Sequence, residues 1–268
     1  MARRVLVFAS VVLFAAPLFA AECIKVRTKA PHNPEASVWY HVPKGYDAAR
    51  RKPYPVLVYF GGRNWPGSRT VKAFGFDALA DRMGLVLLSP SFSDGEYWRP
   101  ETGTGETLAK AVGEVEGRCG LKRSKVFLYG YSAGGQCAAL FSAHMKDRVA
   151  AWGAHACGVY PDVVPANGVP ALVTCGVDDT DRLRISRIFA YRYRDGGGEL
   201  VFKTYSCGHE LPSDALSLAG AWLESLLDGG CVCAYGEDDT RQIASRDGID
   251  PEFRNPFRSA RLMALWLK

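Results

Sequence analysis

The chain has 268 residues, 48% of them hydrophobic and 23% charged, with 33 lysines and arginines against 28 aspartates and glutamates. This is the composition of a globular domain with enough chain for one large core. The excess of positive charge is small and no basic stripe interleaved with aromatics occurs, which excludes nucleic acid as a partner; no internal repeat or low-complexity linker breaks the chain either.

Met1-Ala2-Arg3-Arg4 is a short basic start, Val5 to Ala16 is a continuous apolar and small-residue run, and Pro17 to Ala21 ends in small residues. That order is the order of a secretory signal, so residues 1–21 are expected to be a signal peptide and the protein to be secreted or periplasmic. A membrane span needs about 20 apolar residues and this run is shorter, so no stable membrane insertion is expected. Glu22 stands where a lipoprotein signal carries a small residue before its cysteine, which weakens a lipid anchor at Cys23. Residues 22–268 then form a single domain, with an extension from about residue 231.

Strand-like runs follow at Ser37–Val42, Pro55–Phe60, Leu85–Ser89, Lys125–Tyr129, Val149–Gly153, Ala171–Cys175 and Glu199–Tyr205. Helical patterns fall between them at Val71–Met83, Thr107–Arg118, Ala133–His144, Asp181–Arg194 and Ser213–Leu227. Such alternation predicts a mostly parallel sheet covered by helices on both faces, with the first strand joining antiparallel. In the tail, Pro256 to Lys268 carries Leu262, Leu265, Trp266 and Leu267 at helical spacing, and is expected to pack back on the body.

Gly130-Tyr131-Ser132-Ala133-Gly134 joins the Lys125–Tyr129 strand directly to a helix. Glycines on both sides let the backbone turn sharply at the serine, so its hydroxyl stands clear of the sheet and the helix N-terminus offers N–H groups to an oxyanion. Ser132 is therefore the candidate nucleophile. A serine hydroxyl needs a base, and the base needs a third group to hold its tautomer. His209 lies on a loop at a strand's carboxyl end and is the candidate base, with His155 at the end of Val149–Gly153 as its rival. The acid belongs between serine and histidine in the chain. Asp178, Asp179 and Asp181 crowd the turn after Ala171–Cys175. Asp179 is preferred, with Asp178 and Asp181 as alternatives and one or two of the three as helix caps.

These segments resemble the α/β-hydrolase fold. Within it the chain resembles the secreted esterases grouped with feruloyl esterases, polyhydroxybutyrate depolymerases and dienelactone-hydrolase-like proteins. The likeness is carried by Tyr40-His41-Val42-Pro43-Lys44-Gly45-Tyr46, Pro55-Val56-Leu57-Val58-Tyr59-Phe60-Gly61-Gly62, Gly130-Tyr131-Ser132-Ala133-Gly134-Gly135 and Gly208-His209-Glu210. It runs from about Val38 to Leu227 and implies a serine carboxylic-ester hydrolase using Ser132, His209 and Asp179. The acid would be third after Gly176, as in the family's Gly-x-x-Asp pattern. The chain departs from that group after its second hydrolase strand, where Phe60-Gly61-Gly62-Arg63 replaces the usual His-Gly pair. The oxyanion hole is accordingly assigned to the N–H of Ala133 and that of Gly62 or Arg63. The resemblance leaves two other readings: a peptidase of the prolyl-oligopeptidase type, and a catalytically silent binding protein on the same fold.

All eight cysteines lie beyond residue 21, and an even count in an exported chain predicts disulfides. Cys175 and Cys207, near the carboxyl ends of the last two strands, are the pairing most expected. Cys231-Val232-Cys233 alone is too little for zinc, so neither a metal nor any other cofactor is expected. About sixteen residues separate Val149–Gly153 from Ala171–Cys175, too few for a large lid, so the cleft should be open. Trp65, Trp98 and Tyr131 are the candidate walls for a small-molecule or polymer-linked ester with a short or compact aromatic acyl group.

Overall fold

A computed structural model describes residues 21–27, 35–47, 49, 54–92, 95–123, 125–162, 169–229, 234–235 and 259–268. Residues 1–20, the pair Cys231 and Cys233, and most of the extension lie outside them, and so does the expected signal except for its last residue.

Among the described residues nine strands build one sheet: β1 (Glu22–Arg27), β2 (Glu35–His41), β3 (Val56–Phe60), β4 (Val86–Pro90), β5 (Val126–Tyr131), β6 (Val149–His155), β7 (Ala171–Gly176), β8 (Leu200–Tyr205) and β9 (Ala234–Tyr235). Their spatial order is β1-β2-β4-β3-β5-β6-β7-β8-β9. β1 with β2 and β2 with β4 are antiparallel, and every pair from β4 onward is parallel. Both faces are covered, so β3, β4 and β7 are buried along their whole length, as their unbroken apolar runs require.

The helices are α1 (Gly67–Thr70), α2 (Phe76–Met83), α3 (Thr104–Arg118), α4 (Ala133–His144), α5 (Thr180–Asp195), α6 (Ser213–Leu227) and α7 (Ala260–Leu267). One layer of core packs Val56, Val58 and Phe60 against Leu108, Val112, Phe141 and Phe189 from α3, α4 and α5. The other packs Leu57 and Tyr59 against Phe76, Leu218 and Trp222 from α2 and α6, with Leu262 and Trp266 from α7. Leu262 and Trp266 are four apart and share one helix face, and Trp266 Nε1 donates to Phe202 O at 3.2 Å. The tail helix thereby closes the second layer.

Three features differ from the sequence expectation. β1 was not foreseen, because this edge strand buries only Ile24 and Val26, too few to stand out from polar neighbours. The expected helix Val71–Met83 is α-helical only from Phe76. A single 3₁₀ turn, Ala73–Gly75, separates α1 from α2, and Phe74 stands in it at φ 57°. Gly75 at φ 71° permits the break, which apolar periodicity alone does not reveal.

Disulfides are the third difference: Cys23, Cys119, Cys137, Cys157 and Cys175 are free thiols. The expected Cys175–Cys207 bridge is therefore not formed. Cys175 is wholly buried in β7 within the first core layer, whereas Cys207 lies beyond the end of β8 and outside that layer. Burial pushes the Cys157 and Cys175 thiols up to about 12, which keeps them protonated and unreactive.

Candidate active site

Parallel strands all deliver their carboxyl ends to one edge of the sheet, and that is where the chemistry-bearing loops meet. β5 ends at Tyr131 and α4 begins at Ala133, leaving Ser132 alone at the turn with φ 56° and ψ −120°. A non-glycine residue held in that region stores strain, which marks functional turns. The surroundings admit no bulk: a Cβ on Gly130 would lie 2.0 Å from Gly134 O, and one on Gly134 would lie 2.1 Å from Phe60 O. Ser132 N–H donates to His155 O at 2.9 Å, which ties the turn to the end of β6.

Ser132 Oγ is 2.9 Å from His209 Nε2, and His209 Nδ1 is 2.6 Å from Asp179 Oδ2. The carboxylate can only accept, so Nδ1 carries the proton and Nε2 presents its lone pair to the serine hydroxyl. Asp179 is buried at the start of α5, whereas Asp178 and Asp181 are exposed. Its second oxygen, Oδ1, accepts from Arg182 Nη1 at 3.1 Å. Arg182 was not anticipated; its position one helical turn along α5 was the available signal.

His155, the rival base, does not face Ser132. It is fully buried, its Nε2 donates to Glu210 O at 2.7 Å and its Nδ1 lies 2.8 Å from Thr174 Oγ1. Burial, reinforced by the neighbouring His209, lowers its pKa to about 4, so the ring is neutral at physiological pH.

The loop after β3 lies against the first turn of α4, since the missing Cβ of Gly134 would also meet Gly61 O at 2.4 Å. Gly62 is buried beside Tyr131, and its carbonyl accepts from Trp65 N at 3.1 Å to close a tight turn. Ala133 is the first residue of α4, so its N–H precedes any intrahelical partner. The structure thus brings Ala133, Gly62 and Arg63 to the same edge as Ser132.

Four aromatic rings cluster beside the serine, with Phe74 also meeting Tyr131 at 6.5 Å. Tyr131 stacks on His209 with centroids 5.4 Å apart, Trp65 meets Tyr131 at 6.1 Å, and Phe74 stacks on Trp65 at 5.7 Å. The guanidinium of Arg69 sits 3.9 Å from the Trp65 centroid, so Trp65 packs on both Arg69 and Phe74. Phe74 is 42% exposed and is the ring with a face left for solvent. Sequence reasoning missed it because the residue looked like part of a helix. Trp98 stands apart from this cluster: it is half-buried, packs on Tyr97 at 5.3 Å, and lies under Arg63 at 5.9 Å.

Among the described residues no group of three His, Cys, Asp or Glu side chains is placed to hold a metal ion, and no helix is long and apolar enough to cross a membrane.

No family model matches the chain, and no curated protein matches it in sequence. Solved structures do match in shape. A ferulic acid esterase superposes with a TM-score of 0.60 at 17% identity, over 76% of this chain and 95% of that one. An esterase of Pyrobaculum calidifontis gives 0.63 at 17% identity, over 79% of this chain and 87% of that one. A protein described as a dipeptidyl aminopeptidase IV of Bacteroides ovatus gives 0.62 at 13% identity, over 78% of this chain but 36% of that one. At these identities the likeness speaks for architecture, and the architecture of this chain is the α/β-hydrolase fold.

Proposed function

We propose that the protein is a serine carboxylic-ester hydrolase working through an acyl-enzyme. The observation that carries this reading is the Asp179–His209–Ser132 relay, with links of 2.6 and 2.9 Å, set on a strained strand-to-helix turn. Ser132 attacks the ester carbonyl while His209 Nε2 takes its proton. Asp179 keeps the imidazole in the tautomer that can do so, and stabilises the imidazolium that forms. The N–H of Ala133 and that of Gly62 or Arg63 receive the oxyanion, and His209 returns the proton to the departing alcohol. Water then reverses the sequence on the acyl-enzyme.

The substrate reading is a small-molecule or polymer-linked ester with a short or compact aromatic acyl group. Its support is the ring cluster of Tyr131, Trp65 and Phe74, an apolar surface that begins at the base. The reading that the protein is exported rests on residues 1–21 alone.

Two measurements test the reaction class. A fluorophosphonate should label the wild type stoichiometrically at Ser132 and leave Ser132→Ala unlabelled, and phenyl acetate should be hydrolysed faster than a dipeptide anilide. Absence of labelling would establish the silent binding fold instead. Preference for the anilide would favour the peptidase, although the peptidase-type neighbour has most of its length outside the shared part.

A further inference from the structure

We infer that His155 is a positioning residue that suspends the His209 loop from the strand carrying the next contact to the nucleophile. The inference rests on the hydrolase reading and adds to it a residue with no contact to Ser132 Oγ or to the reacting atoms.

His155 is the last residue of β6 and is paired in register with Tyr131 on β5 and with Thr174 on β7. Its backbone and its side chain reach two different parts of the site. The carbonyl accepts the Ser132 N–H at 2.9 Å, and Nε2 lies 2.7 Å from the carbonyl oxygen of Glu210, the residue after His209. A carbonyl only accepts, so Nε2 must carry the proton; in the neutral ring Nδ1 then accepts from the Thr174 hydroxyl at 2.8 Å. Thr174 and the His155 ring are both fully buried, so no water competes for their hydrogen bond.

The neighbouring strand end repeats the device. Tyr131 Oη donates to the carbonyl of His209 at 2.8 Å. Two consecutive carbonyls of the loop, those of His209 and Glu210, are therefore held by two side chains that face each other across β5 and β6, with ring centroids 6.0 Å apart. This matters because the His209 side chain is 36% exposed on a loop, so its height above the sheet depends on where the loop backbone is held. Asp179 sets the ring's tautomer and tilt; His155 and Tyr131 set where the backbone carries it. A base displaced by a fraction of an ångström loses its line to the serine hydroxyl while the substrate-binding surface is unchanged.

The substitutions that test this are His155→Leu, which removes the donor, and His155→Gln, whose amide reaches about as far as Nε2 and can donate to the same carbonyl. Each is read by kcat and KM on phenyl acetate and by the low-field proton resonance of the His209–Asp179 hydrogen bond in the resting protein. The leucine variant is expected to lose about 10- to 100-fold in kcat with KM within about twofold, and to broaden or lose the resonance, while the glutamine variant recovers most of both. Equal losses in the two variants, or a leucine variant with wild-type kcat and an intact resonance, would overturn the inference. Should His155→Leu not fold, Thr174→Val loosens the ring from its other side and is expected to lower kcat several-fold; a wild-type kcat there overturns it equally. A wild type that fails to take up fluorophosphonate at Ser132 refutes the hydrolase reading instead, and the resonance still reports whether His155 positions His209.

Discussion

Arg182 Nη1 donates to Asp179 Oδ1 at 3.1 Å, on the carboxylate whose other oxygen holds His209 at 2.6 Å. The two oxygens therefore have separate tasks, one oriented from within α5 and one orienting the base. Arg182 is 40% exposed on its side chain, so water screens the pair and its share of the carboxylate's placement is modest, about 0.2–1 kcal/mol. Arg182→Gln should lower kcat by at most about fivefold and leave KM nearly unchanged. A loss of several orders of magnitude in steady-state assays would show that the arginine contacts substrate.

Removing the acid itself should cost far more. Asp179→Asn leaves the geometry intact but lets Nδ1 lose its obligate acceptor, and kcat is expected to fall by about 10⁴. Ser132→Ala and His209→Ala should each lower kcat by on the order of 10⁴–10⁶ with the fold retained. Asp178→Asn and Asp181→Asn should stay near the wild-type rate, since both carboxylates are exposed. Full activity in Asp179→Asn, measured on the same ester, would move the acid elsewhere.

Phe74 offers a test of substrate choice. It is held at φ 57°, 42% exposed, at the outer end of the ring cluster that begins at His209. Phe74→Ala should reduce kcat/KM for benzoyl or hydroxycinnamoyl esters by roughly 3- to 10-fold, the worth of one aromatic contact, while acetyl esters change little. Rates on linear acyl chains should level off or fall with length, because each further CH₂ gains about 0.8 kcal/mol only where protein removes it from water. A rate that climbs steadily through long chains and jumps at the micelle threshold would require a lid.

His155 should make the protein sensitive to mild acid. An unfolded imidazole titrates near 6.5 and this one near 4, so between those values the unfolded chain binds a proton that the folded chain does not. Stability from this group is complete above pH 6.5, falls as the pH drops through the window, and levels off below 4, with a total on the order of 3 kcal/mol. His209 and Asp179 act on the ring with opposite signs, the first lowering and the second raising its pKa, and burial outweighs both. Urea unfolding of the wild type and of His155→Gln between pH 7 and pH 4 should show the wild type losing more stability toward acid. Parallel profiles would mean that the ring is not buried neutral.

Features that depend only on neighbours along the chain are legible in the residue order. Ser132 between Gly130 and Gly134 needs only a strand before it and a helix after it to become a strained turn, and both were legible as apolar runs of the right period. The βα alternation likewise implied a parallel sheet, whose strand ends bring Ser132, Asp179 and His209 to one edge. Tertiary structure decided whatever depends on a second segment. Burial at the start of α5 separated Asp179 from Asp178 and Asp181, three residues of one chemistry on one turn. The partners of His155 turned a rival base into a buried donor, because Thr174 and Glu210 reach it only through strand pairing and loop closure. Cys175 is a free thiol buried in the first core layer, a placement that spacing along the chain does not encode. Phe74 reached the surface because Gly75 let the backbone break where the apolar pattern continued.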